Sequence, residues 1–186
     1  MQGNVRWIDI NMLSLAQGRE TDQVILAIDT HGADINALTT DRRPRTVLMI
    51  AIENNDKILF DALLARNPDL SVKDWLGYTA LEHAARKGKY EFVVALLTHG
   101  APASDDALRG AAVGLHTETV RELLYFGADP NIRASVSPYC NRKQSNQTLI
   151  DMIRSEGRGE STPERAKREG IVYMLENPPP LSYVLK

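Results

Sequence analysis

Apolar and polar residues follow a helical period in residues 77–98, the most regular part of the chain. The stretch reads GYTALEHAARKG and continues as KYEFVVALLTHG. The second half places apolar side chains at the spacing of one buried helix face. These side chains are Phe92, Val93, Leu96 and Leu97. Each half closes on glycine, a residue that commonly follows the end of a helix. The pattern therefore predicts two short helices, one near residues 79–87 and one near residues 89–98.

This pair of segments recurs along the chain. Copies of the second segment and the turn after it are ILAIDTHGADIN at 25–36, DALLARNPDLS at 61–71, VVALLTHGAPAS at 93–104 and RELLYFGADPN at 121–131. The apolar residue that anchors the first segment recurs as Leu13, Leu48, Leu81, Leu108 and Ile150, in steps of 35, 33, 27 and 42 residues. A period near 33 with one short and one long step predicts a repeat array that carries a deletion and an insertion.

Small and turn-forming residues are predicted to set the ends of these helices and the spacing between them. The residues predicted to end the second helices in the left-handed conformation are Gly32, Asn67, Gly100 and Gly127, and Gly88 is predicted to separate the two helices of its unit. Ala84 and Ala85 are small enough for the first helix to lie close to its neighbours. A single unit of this kind cannot bury its own apolar face, so successive units are expected to stack and share one core.

The residues between 74 and 101 resemble the ankyrin repeat family, whose unit of about 33 residues carries a T-P-L-H-x-A turn and helix. The stretch DWLGYTALEHAARKGKYEFVVALLTHGA matches most of the family pattern, with Ala80 in place of the proline and Glu82 in place of the histidine. TVLMIAIENN at 46–55 is a looser copy, and the copy at 107–131 lacks the opening turn. The resemblance covers roughly residues 9–177.

The resemblance implies an all-α solenoid of stacked helix-turn-helix repeats with hairpin loops, all in one domain. The expected units span roughly residues 9–36, 41–73, 74–104, 105–132 and 146–177, and a proline-rich tail follows at 178–186. The resemblance also implies a non-catalytic module that binds another protein through its hairpin tips and the concave face of its first helices. An adaptor, an inhibitor of an enzyme and a bacterial effector would all share this binding mode.

Several departures from the family pattern mark where the chain is expected to be unusual. There is no room for the usual hairpin between the third and fourth units, which predicts a notch beside Trp75. The connection at 132–147 is longer than a hairpin needs, and loops of that length are usually either functional or disordered. The segment 157–169 is a second insertion, in which Thr162 before Pro163 is predicted to cap a helix.

The resemblance also indicates which residues would contact a partner. Carried onto this sequence, these positions are Trp75, Leu76, Tyr78, Arg86 and Lys87 in the third unit, and Arg42, Arg43, Arg45, Glu53 and Asn54 in the second. Aromatic residues and arginines contribute most of the free energy at protein interfaces. Together they predict a mixed aromatic and cationic ridge, which suits a partner with an apolar anchor and carboxylates. The alternative for Trp75 is that it packs locally on the neighbouring hairpin.

Composition and charge limit the other classes of function. The chain has 186 residues, a formal net charge of −2 and a pI near 6.1, so it has no general attraction to nucleic acid or anionic membrane. A lone cysteine, Cys140, cannot form an internal disulfide, which favours a reducing compartment. The chain opens without a signal-peptide pattern, and no apolar run reaches the length of a membrane helix. We expect a monomeric cytoplasmic protein, or one translocated into a host cell if it is an effector.

Two alternative functions rest on particular residues. The cluster DRRPR at 41–45 could neutralise phosphates, but a domain that relies on phosphate contacts usually shows a broader basic face. Cys140 could form a thiol nucleophile with His83, His99 or His116 as its base. Its surroundings, SPYCNRKQ, match no signature of a cysteine enzyme. The histidines lack metal-ligand spacing and there is no phosphate-binding loop, so no cofactor, metal or small-molecule substrate is expected.

Overall fold

The computed structural model describes residues 7–132, 148–155 and 161–180. Within these ranges the chain forms ten α-helices and no β-sheet. The helices are α1 (Trp7–Gln17), α2 (Thr21–His31), α3 (Val47–Asn54), α4 (Lys57–Leu64), α5 (Ala80–Arg86), α6 (Tyr90–Thr98), α7 (Asp105–Val113), α8 (Thr117–Tyr125), α9 (Leu149–Ser155) and α10 (Thr162–Glu176). The predicted all-α repeat fold is confirmed, and the helices predicted near 79–87 and 89–98 are α5 and α6.

The helices pack in pairs and the pairs stack in two rows. Each odd-numbered helix packs against the even-numbered helix that follows it. One row contains α1, α3, α5, α7 and α9, each in contact with the next. In the other row α4 meets α6 through the rings of Phe60 and Phe92, whose centroids lie 4.7 Å apart at a steep angle. This is the geometry in which repeats bury their apolar faces on one another rather than within themselves.

The buried core runs continuously through the stack. Leu81 and Leu97 are almost fully buried, as are the anchoring residues of the neighbouring pairs. Ala84 and Ala85 on α5 have no exposed surface, and the same holds for Ala111 and Ala112 on α7. Since α5 and α7 pack directly against each other, these alanines let the two helices approach closely. The sequence-based explanation of the double alanine is consistent with this packing.

Left-handed residues end the helices at the predicted places. After the second helix of a pair these are Gly32, Asn67, Gly100 and Gly127, with φ of 65°, 50°, 89° and 93°. Gly88, at φ 64°, separates α5 from α6. The residues at the matching turns of other pairs, Arg19, Asn55 and Leu115, adopt the same conformation. Asparagine tolerates it well, whereas a leucine is strained there.

Side-chain caps begin several of the helices. Thr46, Asp56, Thr79 and Ser104 each accept a hydrogen bond from the backbone N–H three residues on. This removes one of the unpaired N–H groups at the helix start. For α10 the cap is Ser161, one residue before the predicted Thr162, because the backbone N–H of Ser161 donates to Glu164 at 3.1 Å.

The link between α6 and α7 lacks a hairpin. In three other units an aspartate after the second helix accepts the N–H two residues on, as Asp34 does from Asn36 at 2.9 Å. Pro102 occupies the equivalent position after α6, and α7 begins only a few residues later. The Ser104 hydroxyl then donates to a carboxylate oxygen of Glu82 at 2.8 Å. The deletion therefore brings the start of α7 directly against α5.

Candidate functional site

The second hairpin, residues 38–46, opens the second helix pair. The backbone N–H of Thr39 donates to the carbonyl of Arg45 at 2.9 Å, which closes the loop. Inside the loop, the Asp41 carboxylate accepts the backbone N–H of Arg43 at 2.8 Å. These hydrogen bonds hold the backbone of the loop that carries Arg43 and Arg45.

The third hairpin, residues 74–78, leads into α5. One oxygen of Asp74 accepts two backbone N–H groups, one of them that of Tyr78 at 2.9 Å, so this carboxylate closes the turn. The backbone N–H of Trp75 donates to the carbonyl of Pro44 at 3.1 Å. That bond ties the third hairpin to the second and fixes the direction in which the indole leaves the backbone.

A groove of about 250 Å³ lies between these hairpins and helices α3 and α5. Its lining residues are Arg43, Arg45, Glu53, Trp75, Leu76, Tyr78, His83, Arg86 and Lys87. The structure therefore brings together eight of the ten residues that the sequence comparison indicated. The groove lies beside Trp75, where the notch is predicted, but the lining comes from the second and third units.

Two of the indicated residues lie outside the groove, and one lining residue was not indicated. Arg42 is exposed on the second hairpin. The Asn54 side chain instead donates to the carbonyl of Ala16 at 3.2 Å, so it connects α3 to α1. His83 lines the groove because it lies three residues before Arg86 and shares its helix face. That spacing was available in the sequence as a signal for His83.

Both arginines at the rim stack on aromatic rings. The Arg43 Cζ atom lies 5.6 Å from the centroid of the Trp75 ring, and the Arg86 Cζ atom lies 4.7 Å from that of Tyr78. A guanidinium over an aromatic face is attracted by the ring quadrupole, which restricts its motion. Trp75 nevertheless keeps 43% of its surface exposed. It therefore contacts the neighbouring hairpin and still offers an open surface.

The floor of the groove is a chain of charged side chains. Arg45 donates to Glu53 at 2.5 Å and to Asp41 at 3.2 Å. The other oxygen of Glu53 lies 3.3 Å from Nε2 of His83, and Asp74 Oδ2 lies 3.9 Å from the same nitrogen. Both carboxylates lie on the Nε2 side of the ring, which favours the neutral tautomer that carries its hydrogen on Nε2.

Burial lowers the pKa of His83 below its ordinary value of 6.5. The carboxylates of Glu53 and Asp74 oppose this shift, whereas the positive charges of Lys87 and Arg45 add to it. His83 is therefore neutral near pH 7, and desolvation is the main cause. Among the described residues, its Nδ1 atom and the Asp74 Oδ2 atom have no hydrogen-bond partner.

The groove is more positive than the chain that carries it. Its lining has four cationic side chains and the carboxylate of Glu53, and the carboxylates of Asp41 and Asp74 lie directly beside Arg45 and His83, which leaves a formal charge of +1. The whole chain has a net charge of −2. Glu53 and Asp41 both bond to Arg45, and in the described part of the chain neither Arg43 nor Arg86 has a carboxylate within ion-pair distance.

The enzyme alternative needs Cys140, which lies outside the described residues. His99 Nδ1 contacts the carbonyl of Ala95 in its own helix at 2.8 Å. The ring of His116 packs where side chains on Gly88 and Gly114 would stand. The described residues include no cluster of histidine, cysteine and carboxylate that could hold a metal ion.

Comparison with known protein families agrees with the fold. The ankyrin repeat family, described as ankyrin repeats in three copies, matches residues 12–107. This match spans more than half of the 186 residues, and the chain belongs to the ankyrin repeat family. Ankyrin repeats are generally protein–protein interaction modules and are typically non-catalytic. No curated protein matches the chain. In the described ranges, no helix has the length and apolar character to span a membrane.

Proposed function

We propose that this chain is a non-catalytic module that binds another protein through the groove between its second and third hairpins. The observation that carries this proposal is Trp75, a large aromatic residue that is 43% exposed and held in place by backbone and side-chain contacts. A rigid exposed aromatic residue loses little conformational entropy on docking. It is the kind of residue that anchors a protein interface.

The surroundings of Trp75 support a protein partner. Leu76 and Tyr78 add apolar and amphipathic surface beside it, and Arg86 contributes a planar group with several donors. Protein interfaces combine such an aromatic centre with a polar rim. The groove has both, and the two hairpins that form it are fixed by their own hydrogen bonds.

We also propose that the five helix pairs form one ankyrin domain with the unit boundaries given above. Helix α9 packs on α7, and α10 packs on α8, so the last pair continues both rows across the long connection at 132–147. In this division of the chain, the proline-rich segment 178–186 follows the last unit as a tail.

Comparative capture tests the proposed surface. The parent chain, a Trp75→Ala, Tyr78→Ala double variant and a Tyr173→Ala control are used to retain proteins from a lysate, and bound proteins are quantified by mass spectrometry. Tyr173 is a suitable control because it is 66% exposed and lies on α10, away from the groove. A partner of the groove is retained by the parent and by the control and is lost with the double variant.

Measuring the affinity of a partner found in this way gives the contribution of Trp75 to the binding free energy. Trp75→Ala is expected to weaken binding by about 2 kcal/mol or more, as for a central aromatic anchor. Its melting temperature should stay close to that of the parent, because Trp75 is outside the buried core. Equal binding of the partner by parent and double variant would contradict the proposal.

A further inference from the structure

We infer that the groove recognises an acidic segment of its partner, in which carboxylates flank an apolar side chain. This inference rests on the proposed function and adds the chemistry of the partner. It is carried by the charge of the groove, by the fixed orientation of two arginines and by the glycine that one of them packs against.

The arginines of the rim are free to bind carboxylates. Arg66, Arg154 and Arg165 elsewhere in the chain each bond to an aspartate or a glutamate. In the described part of the chain, Arg43 and Arg86 stack on rings and have no carboxylate within ion-pair distance. Stacking occupies the face of a guanidinium and leaves the donors at its edge available. Two such edges lie at the rim of one groove.

The absence of a side chain at Gly110 on α7 leaves the space in which Arg86 lies. A Cβ atom at Gly110 would lie 2.4 Å from Cγ of Arg86, so the aliphatic stem of Arg86 occupies the space that a side chain would fill. A contact this close to the start of the stem cannot be relieved by moving the guanidinium alone. Gly110 is therefore a positioning residue, because its missing side chain lets Arg86 lie across α7 and reach the ring of Tyr78.

The same features disfavour a nucleic acid. A continuous phosphate backbone needs a broad basic surface, and this groove has Glu53 in its lining. The acidic chain around it would repel the phosphates that extend beyond the groove. A short acidic peptide places its few charges at the rim and its apolar side chain against Trp75.

A pair of peptides tests the inference on the full chain. One labelled peptide carries glutamates on both sides of a phenylalanine–leucine pair, and its twin has glutamine at each of those positions. At low salt the acidic peptide should bind about tenfold or more tightly than the neutral twin, and added salt should reduce the difference. Equal affinity for the twins, or binding of neither at about millimolar peptide, would overturn the inference.

Arginine variants test whether the groove gives this selectivity. The Arg43→Gln, Arg86→Gln double variant should reduce the preference for the acidic peptide to about twofold or less. Arg154→Gln should keep the preference, because Arg154 is paired with Glu176 on α10. An unchanged preference in the double variant would overturn the inference.

Glycine variants test the role of Gly110. Gly110→Ala should lower the preference for the acidic peptide, since it displaces Arg86. Gly170→Ala is the control and should not lower it, because nothing lies within 4 Å of a Cβ atom at that position. An unchanged preference in Gly110→Ala would overturn the role of Gly110.

Two further measurements distinguish an acidic protein partner from a nucleic acid, and the inferred chemistry of the partner from the proposed function. A labelled single-stranded oligothymidylate that binds more tightly than the acidic peptide and competes with it would contradict an acidic protein partner. With the partner identified by capture, loss of binding in the Trp75, Tyr78 variant but not in the Arg43, Arg86 variant would reject the acidic chemistry and leave the proposed function standing. Full binding of the partner by both variants would reject the proposed function itself.

Discussion

At the scale of single residues, the place of His83 on its helix follows from its spacing in the sequence, whereas its charge depends on its surroundings in the fold. Its spacing from Arg86 places it on the groove face of α5, yet burial is the main influence on its charge. The sequence shows the spacing. It does not show that Glu53 and Asp74 come close from two other segments of the chain.

The lowered pKa of His83 predicts a pH dependence of stability. The unfolded chain takes up a proton near the ordinary value of 6.5, whereas folded His83 does so only at lower pH. The unfolded state therefore binds more protons as pH falls through 6.5, so the folded state loses stability there.

His83→Gln removes this titration. Denaturant melts between about pH 7.5 and about pH 5.5 should show the free energy of unfolding of the parent falling more steeply toward acid than that of the variant. The other histidines and the carboxylates are common to both proteins, so the difference isolates His83. Parallel pH profiles would show that the folded His83 is not shifted as described.

Ser104 is the second residue whose role depends on the fold. It caps α7 through the N–H of Ala107, and its hydroxyl donates to the buried carboxylate of Glu82. Ser104→Ala is expected to cost about 2 kcal/mol, since it removes a cap and one donor to a buried charged group. Ser161→Ala removes a hydroxyl that donates to the exposed carboxylate of Glu164 at 2.7 Å and should cost about 1 kcal/mol or less. Chemical denaturation of both variants gives the comparison, and equal losses would contradict the role of the Ser104–Glu82 bond.

At the scale of the helices, the sequence allowed accurate predictions wherever local rules decide the outcome. The ends of α5 and α6 follow from a threonine cap, two glycines and an apolar face of regular period. The cap of α10 was placed one residue late because Ser161 and Thr162 are both good caps, and the hydrogen bond to Glu164 selects Ser161. The substitution of glutamate for the family histidine at position 82 also needed the structure. Glu82 accepts the backbone N–H of Thr79 at 2.8 Å, which completes a capping box at the start of α5, and it accepts the Ser104 hydroxyl at 2.8 Å across to α7.

Packing between helices gives a prediction at this scale. Leu97 on α6 is almost fully buried in the core shared between pairs. Leu97→Ala should lower the free energy of unfolding by roughly 2–5 kcal/mol, from lost apolar burial and the cavity left behind. Because each pair contacts its neighbours, hydrogen exchange should accelerate most in the pairs next to α6. A denaturant melt that overlays that of the parent would show that Leu97 does not pack as described.

At the scale of the whole molecule, the sequence indicated most of the groove because the family pattern places hairpin tips and helix faces together. It could not reveal which side chains already have partners. Asn54 was included by its position, but its side chain is bonded to the carbonyl of Ala16. Nor could it show that Arg45 is neutralised while Arg43 and Arg86 stack on rings, since these contacts join residues from different hairpins and helices.

The central claim, that the groove around Trp75 is the working surface, has a direct spectroscopic test. Trp75 in the third hairpin has an indole N–H group that gives its own resonance in a ¹⁵N-correlated NMR spectrum, and Trp75→Ala assigns it by its disappearance. Titration with the captured partner should shift or broaden the Trp75 resonance and leave the backbone amides of α10 unchanged as an internal reference. Binding that perturbs the amides of α10 and leaves the Trp75 resonance unchanged would place the working surface elsewhere and contradict the account.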